Sequence, residues 1–414
     1  MSAISVRSLR MTQLARAVTV LALATAFGGC ATIKNFFNDV KKENIEPPTP
    51  LTEFTPSVNV QKLWSERVGK GAAKTGARMR PAYADGKIYA AGIDGTVAAL
   101  DAQSGRTLWQ KRLGSRHGFI LHRGKNSLEW SGGPSVAGDL LVIGSIEGVV
   151  QALDANSGAE RWQVQLSSEI ISAPAIADGI VVVRSNDGRL VGLDAQDGSR
   201  KWTFDRASVP ILSLRGNSAP HVANGVVYAG EDNGKVIALR VGDGSPQWEQ
   251  LLAPGEGRSE IERMQDVDGT VAIGDGVIYA SGYRGQVAAL IAETGRPLWS
   301  HELSSYTGVA VATTQAYVAD ADSSVWALDL RTGASNWKQD GLKYRWVSES
   351  AAQDDLVVLG DQEGWVHWLA GSDGKFAARA RLSKNPIQAA PVVVGEVAYV
   401  EDIDGEIGAY RLAK

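Results

Sequence analysis

Hydrophobic and polar positions alternate in short blocks along most of the chain. The block from Ile88 to Trp109, IYAAGIDGTVAALDAQSGRTLW, sets the pattern: apolar run, turn, apolar run, turn, tryptophan. Ile88 to Ala91 and Thr96 to Leu100 read as two strands joined by Asp94-Gly95, a hairpin dipeptide whose glycine accepts positive φ without steric cost. Asp101 to Gly105 reads as a second turn, with Asp101 placed to accept from backbone N–H groups ahead of it. Leu108-Trp109 opens a third strand. So small a sheet cannot bury both faces alone, so it must stack on copies of itself.

Copies are found by aligning the hairpin glycine. It falls at Gly95, Gly148, Gly188, Gly234, Gly285, Gly364 and Gly405, with Ser324 read into the slot of ADADSSVWALD. That makes eight units. The second turn and its tryptophan recur as LDANSGAERW, LDAQDGSRKW, LRVGDGSPQW, LIAETGRPLW and LDLRTGASNW. Copy seven, LAGSDGKF, reads as drifted, with Phe376 at the tryptophan slot, and copy eight ends without one. The missing strand lies at the other end of the chain, in VQKLWSERV, Val60 to Val68. Pairing of this strand with the last sheet would close a ring and leave no free edge between first and last units. The expected fold is therefore all-β, a closed eight-bladed β-propeller over residues 58–414 with its last blade completed by an N-terminal strand. A tryptophan that recurs once per blade reads as a packing anchor between blades. Trp130 and Trp346 fall outside that slot and are candidates for exposed loops.

The first 57 residues do not share the pattern. Arg7, Arg10 and Arg16 precede an uncharged apolar run, Ala17 to Phe27, too short to span a bilayer as a permanent helix. Residues 1–29 read as a signal peptide. Cys30, the single cysteine, follows Gly28-Gly29 and resembles the modified residue of a bacterial lipoprotein box, although Phe27 stands where leucine is usual. Ala31 after it implies, by the same resemblance, sorting to the outer membrane. Residues 30–57, with Pro47, Pro48, Pro50 and Pro56, read as a lipidated cysteine followed by a flexible tether.

Of the residues, 44% are hydrophobic and 21% charged, and the net charge is −4, which argues against a nucleic-acid binder. His117, His122, His221, His301 and His367 are not at metal-ligand spacings. Neither a phosphate loop nor a nucleophile elbow appears, and the Asp-Gly pairs are turn chemistry. No cofactor is expected.

Excess length between copies becomes loops. It falls near residues 115–130, 208–218 and 254–269, the last two in consecutive blades. Ile211, Leu212 and Leu214 are apolar in a stretch with no place in the repeat, and Arg215 closes it. Such a loop is either an interface hot spot or a plug for the central channel. Asp266 and Asp268 either meet a basic group of a partner or cap the local backbone.

Lipobox, proline-rich tether and eight tryptophan-motif repeats together resemble the BamB family of outer-membrane protein assembly factors. LSLRGNSAP (Leu212 to Pro220) and SEIERMQDVD (Ser259 to Asp268) are the most specific stretches. The resemblance implies a non-enzymatic scaffold at the periplasmic face of a Gram-negative outer membrane. It implies that Leu212, Leu214, Arg215, Asp266 and Asp268 contact the periplasmic POTRA region of BamA. Other subunits of the BAM complex would be reached through BamA, and nascent β-barrel proteins are further candidate partners. Quinoprotein alcohol dehydrogenases share the A-x-D-x-x-x-G-x-x-x-W motif, which Ala99 to Trp109 fits. Those enzymes are longer and carry a vicinal Cys-Cys disulfide that one cysteine cannot make. A dehydrogenase-like or ligand-binding propeller is the alternative reading.

Overall fold

Each repeat folds into a four-stranded antiparallel sheet, and there are eight such sheets. The computed structural model describes residues 46–413, apart from 74, 76, 78, 115–127, 206–217 and 253–265. The expected signal segment, Cys30 and most of the tether thus lie outside the described residues, as do Leu212, Leu214, Arg215, His117 and His122. Residues 49–414 form one compact unit.

Blade 1 consists of β2 (Ala82–Ala84), β3 (Lys87–Ala91), β4 (Thr96–Asp101) and β5 (Thr107–Arg112), paired in that order. The two middle strands are buried on both faces, while β5 is largely exposed. Side-chain alternation explains the continuous apolar runs. Ile88, Ala90, Ala98 and Leu100 face the last blade, against Tyr399, Ile407 and Ala409. Tyr89, Ala91, Val97 and Ala99 face blade 2, against Leu141, Ile143 and Leu153. The core is thus a ring of interfaces between neighbouring blades.

Closure occurs as expected. β1 (Asn59–Arg67) pairs antiparallel with β32 (Glu406–Ala413), which continues through β31 (Val397–Glu401) to β30 (Val392–Val394). Chain start and chain end therefore share one sheet.

The tryptophans clasp each blade to the next. Indole N–H groups of Trp64, Trp109, Trp162, Trp202, Trp248, Trp299 and Trp337 donate to carbonyls of Ala102, Ala155, Ala195, Val241, Ala292, Leu330 and Gly371, at 2.7–3.0 Å. Each acceptor sits in the turn between third and fourth strands of the following blade. The glycine of that turn is required twice over. At Gly244 φ is +70°, and a Cβ would lie 2.5 Å from the Trp202 ring.

Two sequence assignments need correction. The residue in the hairpin-glycine slot of blade 6 is Ser323, not Ser324. Ser323 has φ 72° and its N–H donates to Asp320, as that of Gly95 donates to Gly92. In blade 7 the tryptophan slot is held by Ala378, not Phe376. Strand register places Trp368 opposite Ala378, where the other blades put a small residue opposite tryptophan, as with Ala99 and Trp109. The indole has changed strands. Trp368 packs edge-on to Tyr410 of blade 8 at 5.7 Å. Its N–H donates to Gln353 Oε1 at 2.8 Å, and Gln353 Nε2 donates to the Glu396 carbonyl of blade 8 at 2.9 Å. The clasp is relayed through a glutamine.

Residues 49–57, expected as the end of a tether, run along blade 7 from its junction with blade 6 toward blade 8. Leu51 packs with Leu342, Val347 and Trp337, and the Phe54 ring stacks on Phe376 at 5.6 Å. Arg379 covers Phe54 at 5.0 Å and donates to the Thr52 carbonyl. Ser57 and Val58 N–H groups donate to the Ala377 carbonyl. Apolar side chains spaced along a proline-stiffened segment let it act as a strap.

Candidate functional site

Antiparallel order places the hairpins between second and third strands, and the connections between blades, on one rim of the ring. The two connections singled out by their length, residues 206–217 and 253–265, leave that rim from blades 3 and 4. Their stems are described, and they are tied to each other. Ser218, wholly buried at the end of the first, donates from Oγ to the Gly269 carbonyl at the end of the second, at 2.8 Å. The two stems are thus neighbours; the loops they carry lie outside the described residues.

A buried ion pair lies beneath the first stem. Arg184 and Asp232 meet at 2.5 Å, with side chains 2% and 7% exposed, and join blade 3 to blade 4. Arg184 also donates to the Ser218 carbonyl at 3.3 Å. In the low dielectric of this site removal of one partner would strand the other charge, so the pair fixes geometry more surely than it adds stability. The second stem is equally constrained. Val267 N–H donates to the Glu231 carbonyl, and Tyr283 N–H to the Asp266 carbonyl at 2.8 Å. A Cβ on Gly269 would lie 2.3 Å from the Thr307 carbonyl oxygen.

Asp266 and Asp268 are 0% and 4% exposed, and both are engaged within the chain. Asp268 lines a cavity of about 60 Å³ together with Arg80, Gly133, Ser172, Ala219 and Glu349. Those residues come from six blades, so the cavity lies on the ring axis. Leu212, Leu214 and Arg215 belong to the loop above the first stem, outside the described residues.

Sequence reasoning missed Arg184, Asp232 and Ser218. A signal existed: Arg184 ends a buried strand at a position where Ala91, Gly144, Gly230 and Ser281 stand in other blades. An arginine among small residues there demands an acid opposite. His367 was also missed. Wholly buried, it shares Asp361 Oδ2 with Arg345, at 3.1 and 2.8 Å. Burial pushes the Asp361 carboxyl up, but the His367 hydrogen bond and the Arg345 charge hold it below the usual carboxylate range. Of the two candidate loop tryptophans, Trp130 is buried and Trp346 is exposed. Among the described residues no group of three or more His, Cys, Asp or Glu side chains is placed to hold a metal ion.

A family profile described as outer membrane protein assembly factor BamB matches residues 59–125 and 94–339. The chain belongs to the BamB family. A BamB from Xanthomonas campestris pv. campestris is 41% identical over 401 residues, covering 96% of this chain and 98% of that one. The crystal structure of BamB from Moraxella catarrhalis superposes with a TM-score of 0.76 at 27% identity, over 85% of this chain and all of that one. A quinohemoprotein alcohol dehydrogenase from Pseudomonas putida HK5 reaches a TM-score of 0.69 at 14% identity, over 88% of this chain and 78% of that one. At that identity the likeness is one of fold alone.

Proposed function

We propose that this chain is an outer-membrane protein assembly factor that works as a non-enzymatic scaffold. It is held at the periplasmic face of the outer membrane by lipid on Cys30, after removal of residues 1–29. Its rim loops bind the periplasmic POTRA region of BamA, and through BamA it joins the other BAM subunits and the folding of β-barrel proteins. Leu212 and Leu214 supply the apolar contact and Arg215 its charged edge. Asp266 and Asp268 brace the loops from beneath instead of reaching the partner, in keeping with their burial.

The observation that carries this reading is the joined pair of stems. The two stretches that most resemble the family's partner-binding text leave adjacent blades on one rim, tied by the Ser218–Gly269 hydrogen bond. A loop on so rigid a base loses little entropy when it docks. The test is affinity for the BamA periplasmic region, with melting temperature measured on the same proteins. Leu212→Ala, Leu214→Ala and Arg215→Ala should each weaken binding by about 2 kcal/mol or more while the fold is unchanged. Unchanged affinity with a lowered melting temperature would make the loop structural and defeat the assignment.

A further inference from the structure

Trp346 is 58% exposed, more than any other large hydrophobic side chain among the described residues. It lies in the connection from β25 (Ser335–Gln339) to β26 (Ala351–Gln353), which runs from blade 6 to blade 7 on the rim of the partner-binding loops. Its backbone is left-handed, φ 49°, and so is that of Tyr344, φ 59°. Bulky side chains pay for that conformation in steric strain. The opposite rim shows what an unconstrained choice looks like. There the left-handed positions before Gly86, Gly179, Gly225 and Gly276 hold Asp85, Asp178, Asn224 and Asp275, the types that tolerate it best.

The exposure of Trp346 is imposed, because its flanks are locked. Arg345, 2% exposed, is paired with Asp361 at 2.8 Å and with Glu363, and it donates to the Thr49 carbonyl at 2.9 Å. Val347 is buried on the other side. Tyr344 N–H donates to the Asp322 carbonyl and Gln362 N–H to that of Arg345. A strained aromatic residue held outward between two buried neighbours is a preorganised anchor.

The anchor is linked along the rim to the second stem, beneath the proposed partner site. From Asp266 a hydrogen bond leads to Tyr283 N–H. The next residue, Arg284, donates from its N–H to Ser304 Oγ at 2.8 Å. Two residues on, the Tyr306 ring meets the Trp346 ring with centroids 6.4 Å apart and planes at 37°.

We infer that the Trp346–Tyr306 pair is a second docking point for the same periplasmic partner, and that it takes an apolar side chain of that partner's folded surface against its two rings. This rests on the reading that the rim meets BamA. A rigid anchor on the same rim as the first contact suits a folded domain, whose second contact point lies at a fixed distance from its first.

Trp346→Gly is the decisive variant, since glycine adopts φ 49° without strain. The full-length protein should keep or raise its melting temperature, and its affinity for the BamA periplasmic region should fall at least about tenfold. The Leu212→Ala/Leu214→Ala double variant is measured alongside. If it weakens binding and Trp346→Gly does not, the second docking point is refuted and the first stands. If neither weakens binding, the partner reading falls and takes this inference with it. A lowered melting temperature in Trp346→Gly would make Trp346 structural and overturn the proposal. A photoreactive residue at 346 should cross-link to BamA in cells, and capture of unfolded barrel precursors instead would assign the rings to another occupant.

Discussion

Replacement of Trp368 by alanine should cost the ring about 4–6 kcal/mol, since truncation of a buried Trp costs about 3–5 and an orphaned acceptor adds about 1–3, with partial overlap. The side chain is fully buried between blades 7 and 8, against Tyr410. Its N–H satisfies Gln353 Oε1, and Gln353 in turn holds the Glu396 carbonyl. Trp368→Phe separates the two contributions. It keeps most of the packed ring and removes the N–H, so it should cost about 1–2 kcal/mol, the value of one buried hydrogen bond and the lost ring volume. Gln353→Leu removes acceptor and relay together. If the relay is real, Trp368→Phe in the Gln353→Leu background should cost about 1 kcal/mol less than it does alone. Urea unfolding of the four proteins gives the cycle, provided that m is unchanged. Strict additivity, or a neutral Trp368→Phe, would show that the indole acts by bulk alone and that no polar clasp joins these blades.

Truncation should be graded. Removal of residues before Thr49 should leave stability unchanged, whereas removal through Ser57 loses the Leu51 and Phe54 contacts and should cost about 2–3 kcal/mol for two half-buried apolar side chains. Removal through Arg67 strips β1 and should cost far more; equal melting temperatures across the series would refute both strap and closure. Glu401 is fully buried, with neither carboxylate oxygen bonded, and burial, then Asp402, raises its pKa well above the ordinary value. The folded state keeps that proton after the unfolded chain has lost it. Stability from this group is complete below the unfolded pKa and falls as pH rises toward the folded one, at about 1.4 kcal/mol per unit. Glu401→Gln should therefore flatten the decline of stability as pH rises above the ordinary carboxylate range, and parallel profiles for the two proteins would refute it. Cys30→Ser should leave a precursor that neither labels with palmitate nor fractionates with outer membranes, and retained labelling would dismiss the lipid anchor.

The ring was legible because its determinants are local and repeated. Paired apolar runs with a tight turn between them recur eight times and a clasping tryptophan seven times, and the orphan Trp64 strand marks where the circle joins. The candidate site was legible only as excess length and unusual text. What its residues do depends on contacts between blades, which no single repeat encodes. Asp266 and Asp268 read either as partners for a basic group or as caps of the local backbone, and neither reading foretells burial. Beside them Gly269 approaches Thr307 closely, a contact across two blades that no single repeat encodes. Trp346 carries no signal of exposure in its neighbours. The locked state of Arg345 beside it depends on Asp361 and Glu363, which come from the hairpin of blade 7.

Copy seven shows how a lapse in the repeat can itself be structural information. Each clasping tryptophan needs a shelf, the turn between third and fourth strands of the next blade, with its glycine under the ring and its carbonyl over the N–H. Blade 8 has no such turn, because its third strand ends the chain and its fourth begins the fold. A tryptophan at position 378 would have nothing to rest on. The alanine found there is thus a consequence of closure and not of drift. Its lost indole is restored on the opposite strand as Trp368, reaching the turn between the first and second strands of blade 8 at Glu396 through Gln353. The outer flank left open by the absent turn is covered by the strap at Ala377. A ring closed by its own N-terminus therefore predicts that the blade before the seam departs from the repeat, and that the chain just ahead of the closing strand is held down beside it. Both features can be sought in the sequence of any propeller sealed in this way.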